Sequence, residues 1–324
     1  MVIFSPDELQ EATSIVRTIV PMTATYAWPL LARRVGAEVI VKHENHTPTG
    51  SFKARGGLVY VDALRRQGRL PPGLVTATRG NHGQSVAIAA RQAGIAALLV
   101  VPEGNSVEKN AAMEAFGGQL IIAGKDFDEA RALASGLADE RGYHIVPSFH
   151  RSLVLGVATY AYELLASRGD LHRVYVPIGM GSGICGMIAV RDSLDLKTEI
   201  VGVVAANASA FALSLESGRP MATNRANTFA DGLACREPQP EPFEIIRKGV
   251  ADIVPVSEDE IADAVRVLYT DTHNVAEGAG AAAFAALMQQ RDGLRSKRVG
   301  IVLSGGNIDM ATLACILHGE TPVV

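Results

Sequence analysis

The sequence has few cysteines, little excess charge and no long hydrophobic run, and each shortage excludes a class of protein. Its three cysteines, Cys185, Cys235 and Cys315, are widely spaced and have no histidine at metal-ligand spacing. We therefore expect neither a disulfide framework nor a zinc site, and a reducing cytoplasm as the compartment. The net charge of −4 and the scattered basic residues argue against a nucleic-acid surface. No run is long enough for a transmembrane helix, and no signal-peptide pattern is evident, so we expect no membrane contact.

What remains is the composition of an ordinary globular protein. Apolar residues make up 48% of the 324 residues, charged residues 20%, and 32 residues are glycine. This length is enough for a large core and predicts one large or two modest domains.

Short apolar runs alternate with helical patterns along most of the chain. The first series predicts strands at 74–78, 97–101, 120–123 and 143–146, separated by helices at 83–92, 108–116 and 126–140. The second series predicts strands at 174–178, 199–204 and 298–303, with an alanine-rich helix at 276–289. This alternation indicates parallel sheets with right-handed crossovers. We therefore predict two doubly wound units with a boundary near residues 147–156.

One lysine stands in an unusual segment, Thr47-Pro-Thr-Gly-Ser-Phe-Lys-Ala-Arg-Gly-Gly57. Lys53 follows a turn-prone run and lies between Phe52 and Ala54. In a partly apolar pocket its ammonium group would be desolvated, and the lowered pKa would favour a nucleophilic amine. Such an amine can hold an aldehyde cofactor as a Schiff base. The alternative is an exposed lysine at the start of a helix.

Glycine-rich or polar segments follow three of the predicted strands, where ligands gather in open α/β sheets. Gly179-Met-Gly-Ser-Gly183 precedes a helix and suits a phosphate cradle, with a tight turn as the alternative. Asn81 lies next to glycines at a helix start and can bind a carboxylate or a hydroxyl, unless it is only a helix cap. Ser304, followed by two glycines, can present its hydroxyl to a bound ring or mark a simple turn.

Together these segments resemble the fold-type II pyridoxal-phosphate enzymes, in the branch that contains the threonine/serine dehydratases and serine racemase. The matching pieces follow the family's order over nearly the whole chain: Lys42 to Gly57, Thr78 to Gln84, Gly179 to Gly183, Thr228 to Gly232, Glu277 to Gly280 and Ser304 to Asn307. The resemblance implies an α/β fold with two doubly wound open-sheet domains of the tryptophan synthase β-subunit-like type. Residues 1–72 and 151–324 would form a large cofactor-binding domain, and residues 73–150 a small mobile domain. A homodimer is also implied.

The resemblance implies roles for individual residues. Lys53 would form the Schiff base with pyridoxal 5′-phosphate and then act as the base at the substrate α-carbon. Ser304 would bond the pyridine nitrogen and Asn81 the ring 3′-hydroxyl. The remaining cofactor contacts would be Phe52, Gly179, Met180, Gly181, Ser182, Gly183 and Glu277. Substrate binding would fall to Ser51, Arg79, Gly80 and His82, with a structural role as the alternative for His82.

A serine at the pyridine nitrogen favours one reaction type. A hydroxyl cannot hold that nitrogen as a cation, so the ring is a weaker electron sink, and a substrate with a β leaving group is preferred. We therefore expect a dehydratase (ammonia-lyase) that converts L-threonine or L-serine to a 2-oxo acid and ammonia by α,β-elimination. The alternatives are the dehydratase of an unusual hydroxy amino acid (3-hydroxyaspartate, phenylserine or an ectoine-degradation intermediate), an amino-acid racemase, or a non-catalytic protein that kept the fold.

Three departures from the family's pattern narrow this expectation. Racemases carry a serine where this chain has Arg79, and arginine is a poor proton donor, so racemisation is disfavoured. Arg79 would either read an acidic or bulky β-substituent or point outward to a surface carboxylate. The stretch from Val204 to Ala210 has no carboxylate, so we expect no divalent metal site there, with the Asp231 loop or a monovalent ion as the alternatives. The chain ends at Val324, which leads us to expect no C-terminal regulatory domain.

Overall fold

The computed structural model describes residues 4–323, which form ten β-strands and thirteen α-helices. The strands are β1 Thr25–Ala27, β2 Glu38–His43, β3 Gly73–Ala77, β4 Ala96–Val101, β5 Gln119–Ile122, β6 His144–Ile145, β7 Arg173–Pro177, β8 Glu199–Ala205, β9 Asp252–Val256 and β10 Arg298–Leu303. The helices are α1 Pro6–Arg17, α2 Pro29–Val35, α3 Lys53–Arg66, α4 Asn81–Ala93, α5 Val107–Ala115, α6 Phe127–Arg141, α7 Arg151–Ser167, α8 Ser182–Ser193, α9 Ala210–Ser217, α10 Pro240–Gly249, α11 Glu258–Thr272, α12 Gly278–Gln290 and α13 Met310–Leu317. None of these helices is both long and apolar enough to span a bilayer.

The larger sheet has six strands in the order β1-β2-β10-β7-β8-β9, all parallel except the edge strand β1. Side chains alternate between its two faces: Val39 and Val41 join one core, with α2, α11 and α12, while Ile40 joins the other, with α7, α8 and α10. Helices therefore cover both faces, as expected for a parallel sheet whose strands are nearly continuous apolar runs.

The smaller sheet has four parallel strands in the order β5-β4-β3-β6. On one face Leu74 and Leu99 pack with α3 and α4, and on the other Leu98 and Val100 pack with α6. Because α3 shares this core, residues before position 73 also pack against the smaller sheet. The predicted domain limits at residues 72/73 and 150/151 stay a prediction.

The predicted α/β architecture is confirmed, and the strands predicted from the sequence lie within two residues of β3 to β8 and β10. The sequence interpretation missed β1, β2 and β9, and it considered a helix that begins at Lys53 only as an alternative. Helix α3 contains Gly56 and Gly57, which disfavour helices in isolation. Both glycines serve packing, since a Cβ built on Gly57 would lie 2.4 Å from Ser85 Oγ, and one on Gly56 would lie 2.9 Å from the Leu153 carbonyl oxygen.

Candidate active site

The loops that leave the carboxyl ends of β2, β3, β7 and β10 carry the residues that the sequence singled out. The loop after β2 runs directly into α3, so that Lys53 is the first residue of this helix. The loop is attached to the segment after β10 by a hydrogen bond from the Phe52 amide to the Ser304 carbonyl, at 3.1 Å. Ser51 forms a bridge with Gly305. The lysine loop and the serine loop are therefore one connected unit.

Lys53 lies half-buried at this junction. Its Nζ is 4.8 Å from the centroid of the Phe52 ring, and its carbonyl accepts a hydrogen bond from Ser85 Oγ at 2.6 Å. Burial lowers the pKa of the Lys53 amine, while the charge of Glu277 opposes this shift. A lowered amine pKa increases the fraction of the neutral, nucleophilic form, which was the reason for singling out this lysine.

Asn81 is the first residue of α4, but its side chain does not cap that helix. Its Nδ2 donates to Glu277 Oε1 at 2.7 Å, and its Oδ1 accepts from Asn307 Nδ2 at 2.7 Å. The first turn of α4 is served instead by Thr78, whose Oγ1 accepts from the amides of Gly80 and Gly83 at 3.0 and 2.9 Å. These contacts fix the orientation of the Asn81 amide and leave its second N–H available to a ligand.

Glu277 precedes α12 and lies deep in the protein, with 6% of its surface exposed. Burial raises the pKa of its carboxyl group, and Lys109 and the hydrogen bond from Asn81 oppose this shift. Sequence reasoning missed Lys109, which donates to Asp231 Oδ2 at 3.0 Å. It also missed Asn307 as a partner of Asn81. No local motif marks either residue, because their partners are distant in the sequence.

The glycine loop between β7 and α8 requires glycine at two positions. A Cβ on Gly179 would lie 2.2 Å from the Gly232 carbonyl oxygen, and Gly181 has a φ of +97°. No side chain among residues 4–323 caps α8, which begins at Ser182. Its first amide groups are therefore free for an anion. A Cβ on Gly183 would be 3.7 Å from the Phe52 ring, which places this loop beside the lysine loop, with Met180 half-buried next to it.

Ser304 directly follows β10, with 5% of its surface exposed. Its Oγ lies 3.4 Å from the Ala279 carbonyl oxygen, a weak contact that leaves the hydroxyl free to turn towards a ligand. The next residue is in close contact with Glu277, since a Cβ on Gly305 would lie 2.3 Å from Glu277 Oε1. The structure therefore brings Lys53, Asn81, Glu277 and Ser304 to one site.

The four residues assigned to substrate binding differ in their surroundings. Ser51 Oγ and His82 Nε2 are buried and have no hydrogen-bond partner among the described residues. Burial, followed by the charge of Lys53, lowers the pKa of His82 to about 4. Gly80 has a φ of +153° and lies against the Lys109 side chain. Arg79 is exposed and forms no ion pair within 4 Å among residues 4–323, but its charge helps to lower the pKa of Asp126, so both roles considered for it stay predictions.

Arg55 follows Lys53 in the chain but belongs to a separate cluster of buried charges. Its guanidinium group has 0% of its surface exposed and donates to Glu44 and Glu163 at 2.8–3.0 Å. Glu163 also accepts from Lys42 Nζ at 2.6 Å. We conclude that Arg55 has a structural role.

The geometry suits the cofactor that the resemblance implies. Buried polar atoms without partners are rare in folded proteins and mark places where a ligand is expected. Here Ser51 Oγ is two residues from the Lys53 amine, and His82 Nε2 belongs to the first turn of α4. The glycine loop between β7 and α8 adds a backbone cradle, which a side chain in place of Gly179 would obstruct. An amine for an aldehyde, free amides for a phosphate and a hydroxyl for a ring nitrogen together fit pyridoxal phosphate.

Comparisons with known proteins agree with this geometry. The family model described as "Pyridoxal-phosphate dependent enzyme" matches residues 16–305. The chain is 35% identical to the L-threonine ammonia-lyase of Thermotoga maritima, over 96% of this chain and 78% of that protein. It is 30% identical to the L-threo-3-hydroxyaspartate ammonia-lyase of Saccharomyces cerevisiae, over 99% of this chain and 98% of that protein.

Similar solved structures include the processed form of threonine deaminase isoform 2 from Solanum lycopersicum. The two folds superpose with a TM-score of 0.88 and 28% identity, over 98% of this chain and 94% of that one. The chain spans only 49% to 59% of the length of the biosynthetic threonine dehydratases that it matches.

Proposed function

The chain belongs to the pyridoxal-phosphate-dependent enzyme family, and we propose that it is an ammonia-lyase that acts on a β-hydroxy amino acid such as L-threonine or L-serine. The reaction would break the bonds from Cα to its hydrogen and from Cβ to its hydroxyl. The products would be a 2-oxo acid and ammonia, with the water lost from Cβ balanced by the water consumed in hydrolysis. The similarity to the ammonia-lyases of Thermotoga maritima and Saccharomyces cerevisiae supports this proposal.

When bound, the cofactor would withdraw electrons from the substrate Cα and make its proton acidic. In our proposal the amine of Lys53 first holds the cofactor and then removes this proton. Its half-buried position and its lowered pKa support this role, because a desolvated amine is a better base and nucleophile at neutral pH.

The other predicted cofactor residues would each hold one part of the group. The amides of Gly179, Met180, Gly181, Ser182 and Gly183 would bind the phosphate. The ring would lie against Phe52, and Asn81, held by Glu277, would donate to the ring hydroxyl. The substrate carboxylate would bind at the polar atoms near Ser51 and His82 and at the Gly80 loop.

The buried hydroxyl of Ser304 is the observation that carries the choice of elimination. It lies at the end of β10, where we place the pyridine nitrogen, and it is neutral at all physiological pH values. A neutral partner favours reactions in which electrons leave through Cβ and do not accumulate on the ring. Racemisation would need a proton donor on the opposite side, and the exposed Arg79 is not one.

Formation of 2-oxo acid from a panel of substrates tests the proposal. The panel contains L-threonine, L-serine and L-threo-3-hydroxyaspartate, with the Lys53→Ala variant as the control. We expect 2-oxo acid and ammonia in equal amounts from at least one substrate, and a loss of at least about a thousandfold in kcat/KM in the variant. Conversion of an L- to a D-amino acid without ammonia would contradict the proposal.

A second candidate substrate is 3-hydroxyaspartate. The relative from Saccharomyces cerevisiae supports it, since the match covers nearly all of both chains. The exposed guanidinium group of Arg79 supports it further, because it forms no ion pair within 4 Å among residues 4–323 and can reach an acidic group of a ligand. For either substrate we expect a cytoplasmic homodimer, as the resemblance implies, and sedimentation analysis of the holoenzyme checks the subunit number.

A further inference from the structure

Lys109 is a buried cation at the edge of the site that the proposed chemistry does not use. It lies in the first turn of α5, with 9% of its surface exposed, and donates to Asp231 at 3.0 Å. Its aliphatic chain lies against Gly80, where a Cβ would be 2.6 Å from Lys109 Cδ. Burial of an ammonium group costs free energy because the group loses its hydration, so a lysine this deeply buried needs nearby carboxylates that offset the cost.

The cavity beside Lys109 has a volume of about 50 Å³ and is lined by three carboxylates, those of Asp231, Glu277 and Asp309. Burial alone would lower the pKa of Lys109, but the charges of all three carboxylates raise it above its usual value, and among them Glu277 has the largest effect. Conversely, Lys109 opposes the rise that burial causes in the pKa of Glu277, and it does so more strongly than Lys53 does. Since Lys109 and Glu277 line the same small cavity, the ammonium group of Lys109 places a positive charge beside the buried carboxylate.

The charge of Glu277 matters because of what this carboxylate holds. Glu277 accepts from Asn81 Nδ2 at 2.7 Å, and hydrogen bonds to a charged acceptor are about twice as strong as neutral ones. Asn307 holds the other end of the same amide and also donates to the Thr49 carbonyl at 2.8 Å. A chain of hydrogen bonds thus runs from Glu277 through Asn81 and Asn307 to the loop before Lys53, and Lys109 lines the same cavity as Glu277.

We propose that Lys109 is a positioning residue, whose ammonium group stabilises the carboxylate of Glu277 so that Glu277 holds the Asn81 amide towards the cofactor. This inference rests on the proposed placement of the cofactor ring against Asn81. It does not depend on which amino acid is the substrate. It can therefore be tested on cofactor binding alone, and its failure can be told apart from a failure of the proposed reaction.

The first experiment measures the dissociation constant of pyridoxal phosphate from the apoprotein and titrates the visible absorbance of the bound cofactor with pH. We expect Lys109→Met to raise the dissociation constant at least about tenfold and to shift the pH midpoint of the absorbance. Lys109→Arg retains the charge and should stay within about threefold of the wild type. The melting temperature of each apoprotein shows whether the variant is folded.

The second experiment separates the effect on Glu277 from a simple ion pair with Asp231. In a Glu277→Gln background there is no charge left to maintain, so adding Lys109→Met should change the dissociation constant less than about twofold. Asp231→Asn, which removes the direct partner of Lys109, should weaken cofactor binding less than Lys109→Met does. Equal losses from Lys109→Met in the wild-type and Glu277→Gln backgrounds would overturn the proposal, as would an Asp231→Asn variant that reproduces the full loss.

Discussion

Two clusters of charged and polar groups differ in how completely their members are paired. The Arg55 cluster consists of Lys42, Glu44, Arg55 and Glu163, and all four side chains are buried and joined by short hydrogen bonds. The Glu277 cluster consists of Asn81, Lys109, Asp231, Glu277 and Asn307. Near it, Ser51 Oγ and His82 Nε2 have no partner in the described part of the chain.

The two central glutamates illustrate the difference. Burial raises the pKa of both carboxyl groups, but at Glu163 the neighbouring Arg55 and Lys42 outweigh it, and the pKa lies below its usual value. At Glu277 the neighbouring charges and hydrogen bond do not outweigh burial, and the pKa lies above its usual value. A fully paired cluster stabilises one conformation, whereas an incompletely paired one retains polar atoms for a ligand.

Removing the central cation of the Arg55 cluster should have the largest effect on stability. Arg55→Met leaves Glu44 and Glu163 buried with too few partners, and breaking such a pair typically costs about 3–5 kcal/mol. The free energy of unfolding in denaturant measures this loss. Arg66→Met is the matched control, since the Arg66 side chain is 52% exposed and pairs with surface carboxylates, and it should cost less than about 1 kcal/mol. Equal losses in the two variants would show that the Arg55 cluster is not a stabilising unit.

Changing each of the two glutamates to glutamine should lower the free energy of unfolding less than Arg55→Met does, and by different amounts at the two positions. Glu163→Gln removes charged hydrogen bonds to Arg55 and Lys42 and should destabilise the protein by about 2–4 kcal/mol. Glu277→Gln keeps an acceptor for Asn81 and removes a charge that burial disfavours, while Lys109 keeps its hydrogen bond to Asp231. It should change the unfolding free energy by less than about 1 kcal/mol. If Glu277→Gln were as destabilising as Glu163→Gln, the contrast between the clusters would be wrong.

The low pKa of His82 predicts a pH dependence of stability. In the unfolded chain this histidine binds a proton near pH 6.5, but in the folded protein only near pH 4. The unfolded state therefore binds more protons between these values, and stability falls as the pH drops from 6.5 towards 4. For one histidine the slope is at most about 1.4 kcal/mol per pH unit. His82→Gln should reduce the slope of unfolding free energy against pH in this window, and an unchanged slope would show that folding does not lower the pKa of His82.

The sequence alone predicted those parts of the site that local patterns determine. Lys53, the glycine loop and Ser304 each follow a strand, and the ends of parallel strands meet at one edge of a sheet. Lys109 and Asn307 were missed because their partners, Asp231 and Asn81, lie 122 and 226 residues away. No pattern within a short window can show such contacts.

The missed elements have similar physical causes. Strand β2 contains Lys42, which interrupts an apolar run and is tolerated because Glu163 pairs with it inside the protein. Strand β9 contains Pro255 and lies at the edge of the larger sheet, where a missing amide donor is acceptable. Helix α3 contains two glycines whose lack of a side chain is needed only where α4 and α7 approach it. In each case tertiary contacts override the local preference.

Arg79 should show the smallest effect, because it belongs to neither cluster. Its side chain is exposed, so Arg79→Ala should change the free energy of unfolding by less than about 0.5 kcal/mol. If the guanidinium group contacts an acidic β-substituent, the ratio of kcat/KM for L-threo-3-hydroxyaspartate to that for L-threonine should fall about fivefold, the size of one exposed ion pair. Arg236→Ala is the matched control, since Arg236 is also exposed and pairs with Asp128. The control should leave the ratio unchanged, and an unchanged ratio in Arg79→Ala as well would exclude Arg79 from substrate selection.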